Sequence, residues 1–277
     1  MNGLVTVIIP FFNEEAFIQR SLQCIVDQTY RQLDILLVND CSTDDSLERI
    51  RRIKDHRIRI ISNTTTMGVS TSRNIGIEQA KGDYVACMDA DDECDPTRIE
   101  KQLGVLLRSS PNTVCGTWTR FIESGKHTIK RLPTEHTDII KGFRRRYGRV
   151  TFVSATLMCR KTLLRQFKYR ERFKYFEDWD LLLRLYESGS VVFGNVAEPL
   201  YSYIVRDKST KYRSDWYDYN VFARNCQDRR RHGQPEFESI EEFARYLKNN
   251  VFANAYYEGL KSLIRFKRRL EASTTLL

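Results

Sequence analysis

Four short apolar runs constrain this chain more than any other feature: Val5–Phe12, Leu33–Asp40, Ile58–Ser62 and Asp83–Asp89. Each has strand length and is rich in aliphatic and β-branched residues. The segments between them change period. Glu14–Gln28 places Phe17, Ile18, Leu22, Ile25 and Val26 at helical spacing. Ser42–Ile53 opens on capping residues and acids, and Ser70–Gly82 reads as a helix with a glycine just past its end. Strands alternating with helices in this way predict βαβ units, hence an α/β fold with a mostly parallel sheet. The pattern adds a helix from Pro96 to about Arg108, capped by Asp95, and a strand over Val114–Phe121. The next stretch, "HTIKRLPTEHTDIIKGFRRRYGR", is irregular and basic. Apolar structure returns over Val150–Leu164, a helix with an acidic start follows over Tyr175–Gly189, and "SVVFGNV" and "PLYSYIV" read as strands. From about Asp215 the pattern is helical.

In a parallel sheet of this kind ligands bind at the carboxyl ends of the strands. Asn13, Asp40 and the acids after the fourth run all fall there. "YVACMDADDECDP" carries five acids in seven positions, Asp89, Asp91, Asp92, Glu93 and Asp95. Like charges this close repel, and a carboxylate leaving water must be paired or bound to a metal. Asp95 is accounted for as a helix cap, which leaves Asp89 and Asp91 without a structural reason. Two hard oxygen donors at alternate positions suit Mg²⁺ or a similar divalent cation that fills its other positions with water and phosphate. Asp40 ends a strand and can accept from a base N–H or a ribose hydroxyl; a turn or cap role is the alternative, although Ser42 and Asp44 can do that capping. Glu177 and Asp178 start a helix in an otherwise basic half. Either is its N-cap, or one is a general base beside bulky Trp179.

The formal net charge of +9 is uneven: residues 1–125 carry 14 Lys/Arg and 18 Asp/Glu, net −4, and residues 126–277 carry 31 and 18, net +13. A basic half facing an acidic one fits an anionic substrate, a phosphate-bearing acceptor or a membrane surface, or is a solvated face. The seven cysteines are scattered without a C-x-x-C, so neither a disulfide framework nor a zinc site is expected, and a reducing cytoplasm is. "MNGLVTVIIPFFNEE" does not read as a signal peptide, and no apolar run is long enough to span a bilayer. There is no P-loop and no G-x-G-x-x-G, so phosphates must be met by a metal and basic side chains.

Taken in order, "VTVIIPFFNEE", "DILLVNDCSTDDS", "GVSTSRNIGIEQAKGDYVACMDADD" and "FEDWDLLLRL" resemble the family 2 inverting glycosyltransferases, which have the GT-A fold: a Rossmann-like, mostly parallel sheet flanked by helices. The resemblance covers roughly residues 5–185 and fades past 210. It implies a nucleotide-sugar donor, a UDP-sugar foremost, and Mn²⁺ or Mg²⁺ as cofactor. Pro10, Asn13 and Glu14 would line the nucleotide pocket, Asp40 would sit near the base, and Arg73 and Asn74 near the donor. Asp89 would contact ribose or the metal, Asp91 the metal, and Asp178 would be the catalytic base. Arg206 or Lys208, in "YIVRDKST", would add positive charge at the leaving diphosphate, or is a surface residue. The implied organisation is a catalytic domain over 1–210, with a nucleotide-binding half to 125 and an acceptor-binding half after it, and a helical C-terminal extension over 211–277. Without the Q-x-x-R-W motif and membrane helices of processive synthases, the chain looks like a single-addition enzyme of bacterial surface polysaccharide or glycoconjugate synthesis.

Two other classes compete. A sugar-phosphate nucleotidyltransferase would show a Gly/Arg-rich loop where "PFFNEE" stands. A non-catalytic nucleotide-binding scaffold would not need Asp89, Asp91 and Asp178 together. The expected partners are the donor and a glycan or lipid-linked acceptor, with no nucleic acid. The basic stretch Tyr256–Ala272 is amphipathic; it either lies on the inner face of the plasma membrane or packs on the protein.

Overall fold

The computed structural model describes residues 3–144, 150–206, 216–250, 253–255, 257–259 and 262. The chain forms two compact units, one of residues 1–170 with 181–206, the other of 171–180 with 207–277. The sequence assigned 171–180 to the catalytic half. Its grouping with the C-terminal segment follows from Phe173, fully buried against Phe222 with ring centroids 5.1 Å apart, and from Arg172, paired with Glu236 at 2.6 Å.

In the first unit β1 (Val5–Phe11), β2 (Leu33–Asn39), β3 (Ile58–Ser62) and β4 (Tyr84–Cys87) alternate with α1 (Ile18–Val26), α2 (Ser46–Arg51) and α3 (Val69–Gln79). Next come β5 (Glu93–Cys94), α4 (Arg98–Leu107), β6 (Thr113–Glu123), β7 (Lys126–Lys130), α5 (His136–Arg144), β8 (Met158–Arg160), α6 (Lys161–Phe167), α7 (Glu177–Glu187) and β9 (Val192–Val205). Helix α7 begins in the second unit, which also holds α8 (Trp216–Arg231) and α9 (Ile240–Lys248).

Among the described residues nine strands form one sheet in the order β3-β2-β1-β4-β8-β6-β9-β5, with β7 on β6. Strands β1 to β4 are mutually parallel, as are β6 and β9, while β8, β5 and β7 pair antiparallel. The chain runs outward from β1 to β3, then returns to place β4 on the other side of β1. The strand order therefore reverses between β1 and β4, and their carboxyl ends open the crevice where such sheets bind ligands.

Strands β1, β2 and β4 are buried on both faces, which is why their sequences are continuous apolar runs rather than alternating ones. Val5, Val7 and Ile9 meet Leu22 and Ile25 of α1 and Ile99 and Leu103 of α4 in one core, each such side chain contributing about 1.5–3 kcal/mol. The second unit has its own aromatic core of Phe173, Phe222, Phe237 and Phe243.

Several sequence expectations need correction. The helix expected over Ser42–Ile53 is shortened to Ser46–Arg51, because residues 42–45 are tied to the loop after β1. Gly82 is not a helix cap: α3 ends at Gln79, and a Cβ at Gly82 would lie 2.4 Å from the Leu4 carbonyl oxygen. It is glycine because two backbones approach closely there. The helix expected from Pro96 starts at Arg98; Asp95 accepts from the N–H and hydroxyl of Thr97, in the turn before it. The two strands read in "SVVFGNV" and "PLYSYIV" are one, β9, whose register against β6 shifts at Trp118. Lys208 and most of Tyr256–Ala272 lie outside the described residues. No described helix is long and apolar enough to cross a membrane.

Candidate active site

The loops after β1 and β2 are sewn together. Asn13 sits in the left-handed region (φ 55°), which asparagine tolerates better than most residues. Its N–H donates to the Ser42 hydroxyl (3.0 Å), and its side-chain oxygen accepts the Thr43 N–H (2.8 Å). Glu14 and Glu15 donate their N–H groups to Ser46 and Asp44. Pro10 lies past the last β1–β4 pair, Ile8 with Cys87, so a residue without an N–H costs that ladder nothing. This bracing points the Glu14 side chain at Arg206, just past the end of β9. The two guanidinium nitrogens of Arg206 donate to Glu14 at 2.9 and 3.3 Å, and one also meets Asp91 at 2.5 Å.

The acids after β4 each have their own counterpart. Asp89 pairs with Arg73 of α3 at 2.9 Å, Asp91 with Arg206, and Glu93 with Arg20 at 2.9 Å. Asp92, 1% exposed, accepts from the Tyr201 hydroxyl at 2.8 Å and from the Ile204 N–H at 2.9 Å. Tyr201 also accepts the Asp89 N–H at 3.2 Å, and its ring lies 4.9 Å from the guanidinium of the fully buried Arg98. Arg98 in turn donates to the Cys87 and Ala155 carbonyls and to Gln102.

Compensation is incomplete. Burial, then repulsion from Asp89, raises the Asp91 carboxyl above the usual range despite Arg206. Burial raises Glu14 in the same way, against its bond from Arg206. Asp92 is pushed up further by burial and by both neighbouring aspartates. Surplus negative charge on hard oxygens is what a divalent cation would relieve, so Asp91 and Asp89 fit one. Among the described residues no group of three or more His, Cys, Asp or Glu side chains could hold a metal ion. A cation here would take one or two carboxylates and complete its shell from water and phosphate oxygens.

Two expected donor-site residues face inward instead. Asp40, 5% exposed, accepts from the Asn63 amide and from the N–H groups of Met67 and Gly68, all at 2.8 Å. It shapes the loop that leads into α3, where Gly68 takes φ 90°. Asn74 uses both ends of its amide on the backbone of Tyr169, at 2.8 Å each. Asp178 lies in the first turn of α7 within the second unit, half-buried, its carboxylate accepting the Trp179 N–H at 2.7 Å. The residue before that helix, Phe176, is held at φ 67°, an unfavourable conformation for a bulky side chain and one that concentrates at functional sites.

Sequence reasoning missed Tyr201 and Arg98. The available signal was Arg98 with Gln102, a polar i, i+4 pair on a helix whose remaining inward residues are Ile99, Leu103, Gly104 and Leu106. Such a pair is found inside only when it has work to do on other polar groups.

A family model described as glycosyl transferase family 2 matches residues 6–173. The chain belongs to this family. EpsE of Bacillus subtilis, which carries a provisional glycosyltransferase name, is 32% identical over 226 residues, covering 78% of each chain. The amylovoran biosynthesis glycosyltransferase AmsB of Erwinia amylovora is 26% identical and covers 77% of this chain and 76% of its own. An uncharacterised Haemophilus influenzae glycosyltransferase is 35% identical over 108 residues; the match spans 38% of this chain and 43% of that protein. Among solved structures, TarS of S. aureus in complex with UDP-GlcNAc superimposes with TM-score 0.66 at 19% identity, covering 82% of this chain and 66% of that one. The mannosyltransferase PcManGT of Pyrobaculum calidifontis, in complex with GDP-Man and Mn²⁺, gives 0.64 at 17% identity, with 95% and 74% covered. At these identities the likeness shows the fold, and the fold is GT-A.

Proposed function

We propose that this family 2 protein is an inverting glycosyltransferase that moves one sugar from a nucleotide-sugar donor, a UDP-sugar foremost, to a hydroxyl of a glycan or lipid-linked acceptor. The observation that carries the reading is the Glu14–Arg206–Asp91 and Arg73–Asp89 cluster at the reversal point between β1 and β4. Two structural neighbours, crystallised with UDP-GlcNAc and with GDP-Man and Mn²⁺, support a nucleotide-sugar donor. The name of AmsB, an amylovoran biosynthesis glycosyltransferase, supports a role in making a bacterial polysaccharide, and we place the reaction in the cytoplasm.

In this mechanism Asp91, with Asp89, would hold Mn²⁺ or Mg²⁺, which would supply positive charge against the donor diphosphate. The Arg206 guanidinium, already balancing two carboxylates, hydrogen-bonds the diphosphate as it departs. Asp89 and Arg73 seat the ribose side of the donor. Asn13, Pro10 and the sewn loops wall the nucleotide, and Asp40 and Asn74 keep the loops at 63–68 and 169 in place. An Oδ of Asp178 removes the proton of the acceptor hydroxyl. The freed oxygen attacks the anomeric carbon from the face opposite the diphosphate. The anomeric C–O bond breaks with its electron pair passing to the diphosphate, so configuration inverts in one step. The role of Asp178 rests on its place in "FEDWDLLLRL", the family's pattern.

The test is a panel of nucleotide sugars with Mn²⁺, read first as thermal stabilisation of the full chain, since a ligand that binds only the native state raises its melting point. At least one donor should stabilise the protein in a metal-dependent way. Asp178→Asn should then cost roughly 10²–10⁴ in transfer rate while donor affinity holds. No stabilisation by any nucleotide sugar would overturn the donor reading; near wild-type transfer by Asp178→Asn would remove the base.

A further inference from the structure

The largest basic concentration in the acidic half of the chain lies away from the candidate active site. Between Arg49 and Arg59 there are six Lys/Arg against one acid, Asp55. The fold brings part of this run to the amino ends of β1–β3, where Arg57 and Arg59 join Arg31, Lys81, His56 and Asp34 around a cleft of about 360 Å³. The acids there are already satisfied. Asp34, 5% exposed, accepts from Thr6, from the Lys81 N–H and from two nitrogens of Arg59, at 2.6 and 2.8 Å. Asp55 is gripped by Arg57 at 2.6 Å.

The cations are not satisfied to the same degree. Arg31 and Lys81 are exposed, and among the described residues neither side chain meets a carboxylate; Arg31 reaches only the Val26 carbonyl, at 3.4 Å. Arg57 has a side chain 10% exposed, and its Nη1 is buried with no hydrogen-bond partner. The Arg31 guanidinium, held by one long bond, and the exposed Lys81 ammonium keep donors that an incoming acceptor can meet. Of the four cations lining the cleft, Arg59 is paired with Asp34 and Arg57 with Asp55, which leaves Arg31 and Lys81 as its unbalanced charge.

We propose that this cleft is a second anion site, separate from the donor site and independent of how that site is read, and that its ligand is a phosphoryl group. Guanidinium forks match two phosphate oxygens at once, and the ammonium of Lys81 adds a point charge that needs no fixed angle. The volume suits a small phosphorylated molecule or one lipid headgroup. The site lies at the amino end of the sheet, so its occupant and the donor would bind at opposite ends of the same strands.

The test uses the full chain and inorganic pyrophosphate, followed by calorimetry. Arg31→Ala/Lys81→Ala removes the two exposed cations, while Arg108→Ala/Lys126→Ala removes equal charge from exposed positions that do not line the cleft. The cleft variant should weaken pyrophosphate binding about tenfold or more and the control less than about twofold. A parallel arm measures co-sedimentation with phosphatidylglycerol vesicles at low salt. If pyrophosphate does not bind but vesicle binding is lost in the cleft variant and kept in the control, the phosphoryl group belongs to a lipid headgroup. If neither probe distinguishes the cleft variant from the wild type, or the control loses as much as the cleft variant, there is no site and the cluster is a solvated basic face. Unchanged melting temperatures in both variants keep the comparison free of unfolding.

Discussion

At the carboxyl ends of β1 and β4, Glu14, Asp89 and Asp91 lean on arginines supplied by α3 and by the end of β9. At the amino ends of β1 and β2, Asp34 is enclosed by Thr6, Arg59 and the Lys81 N–H. Both regions mix acids with arginines on the same sheet, yet they hold opposite balances. At the carboxyl end the acids outnumber their partners, and the Asp91 and Glu14 carboxyls are pushed up by burial. At the amino end burial also raises Asp34, but Arg59, Thr6 and the Lys81 N–H overcome it and the carboxyl ends below its usual range. An acid held below its range stabilises the fold in its charged form; one held above it is retained at the fold's expense. The comparison therefore separates acids whose charge the fold rewards from acids whose charge it does not.

The largest effect should come at the chemical end. Asp91→Ala should lower transfer by roughly 10²–10³, the scale of losing one electrostatic partner of a developing charge, and abolish metal-dependent donor binding. Its melting temperature should hardly move. Loss of stability comparable to that of an Asp34 variant would break the comparison, since both acids would then be structural.

Asp34→Ala is the opposite case. It strips Arg59, Thr6 and the Lys81 N–H of a shared acceptor in a buried setting and should cost about 3 kcal/mol in chemical denaturation. The surviving folded fraction should bind donor normally. A smaller effect follows from Tyr201→Phe, which removes the hydroxyl bridging Asp92 and the Asp89 N–H. A loss of about 1–2 kcal/mol is expected, together with weaker metal-dependent donor binding, because the loop that carries Asp91 is no longer pinned. Unchanged binding would make Tyr201 a core residue alone.

The smallest prediction sharpens the amino end by pH. The bond from Arg57 lowers Asp55 from 3.8 to about 2. With the folded value below the unfolded one, the stabilisation is complete above about pH 4 and is lost as the pH falls through about 2. Asp55→Asn should therefore cost at most about 1 kcal/mol at neutral pH after solvent screening, and the difference from wild type should shrink steadily in acid. A difference that stays constant down to pH 2 would mean that shape, not charge, holds the pair.

The parallel strands were legible because burial on both faces leaves continuous aliphatic runs, and the acid cluster was legible because five carboxylates in seven positions have few uses. What could not be read is which group answers each acid. Arg206 stands 192 residues from Glu14, and nothing local in "YIVRDKST" points to it. Asn74 and Asp40 fit the family's pattern, but a sequence does not show that a side chain turns inward to hold backbone. Gly82 followed the rule for helix ends, and the close approach of Leu4 that requires it is a tertiary fact. The short α2 has the same origin: capping residues at 42–45 were available, and the loop after β1 claimed them first.

The ion pair between Glu14 and Arg206 also sets a schedule for synthesis. At roughly 5–20 residues per second, Arg206 is made about 10–40 s after Glu14. Throughout that interval the first four strands can assemble on the nascent chain, but Glu14 and Asp91 at their tips still lack the arginine that pairs with both. A shorter delay, about 5–20 s, separates Asp92 from its partner Tyr201. The β1–β4 half thus emerges as a scaffold whose acidic end stays repulsive and open until β9 threads between β6 and β5. The last strand added to the sheet is the one that closes the charge.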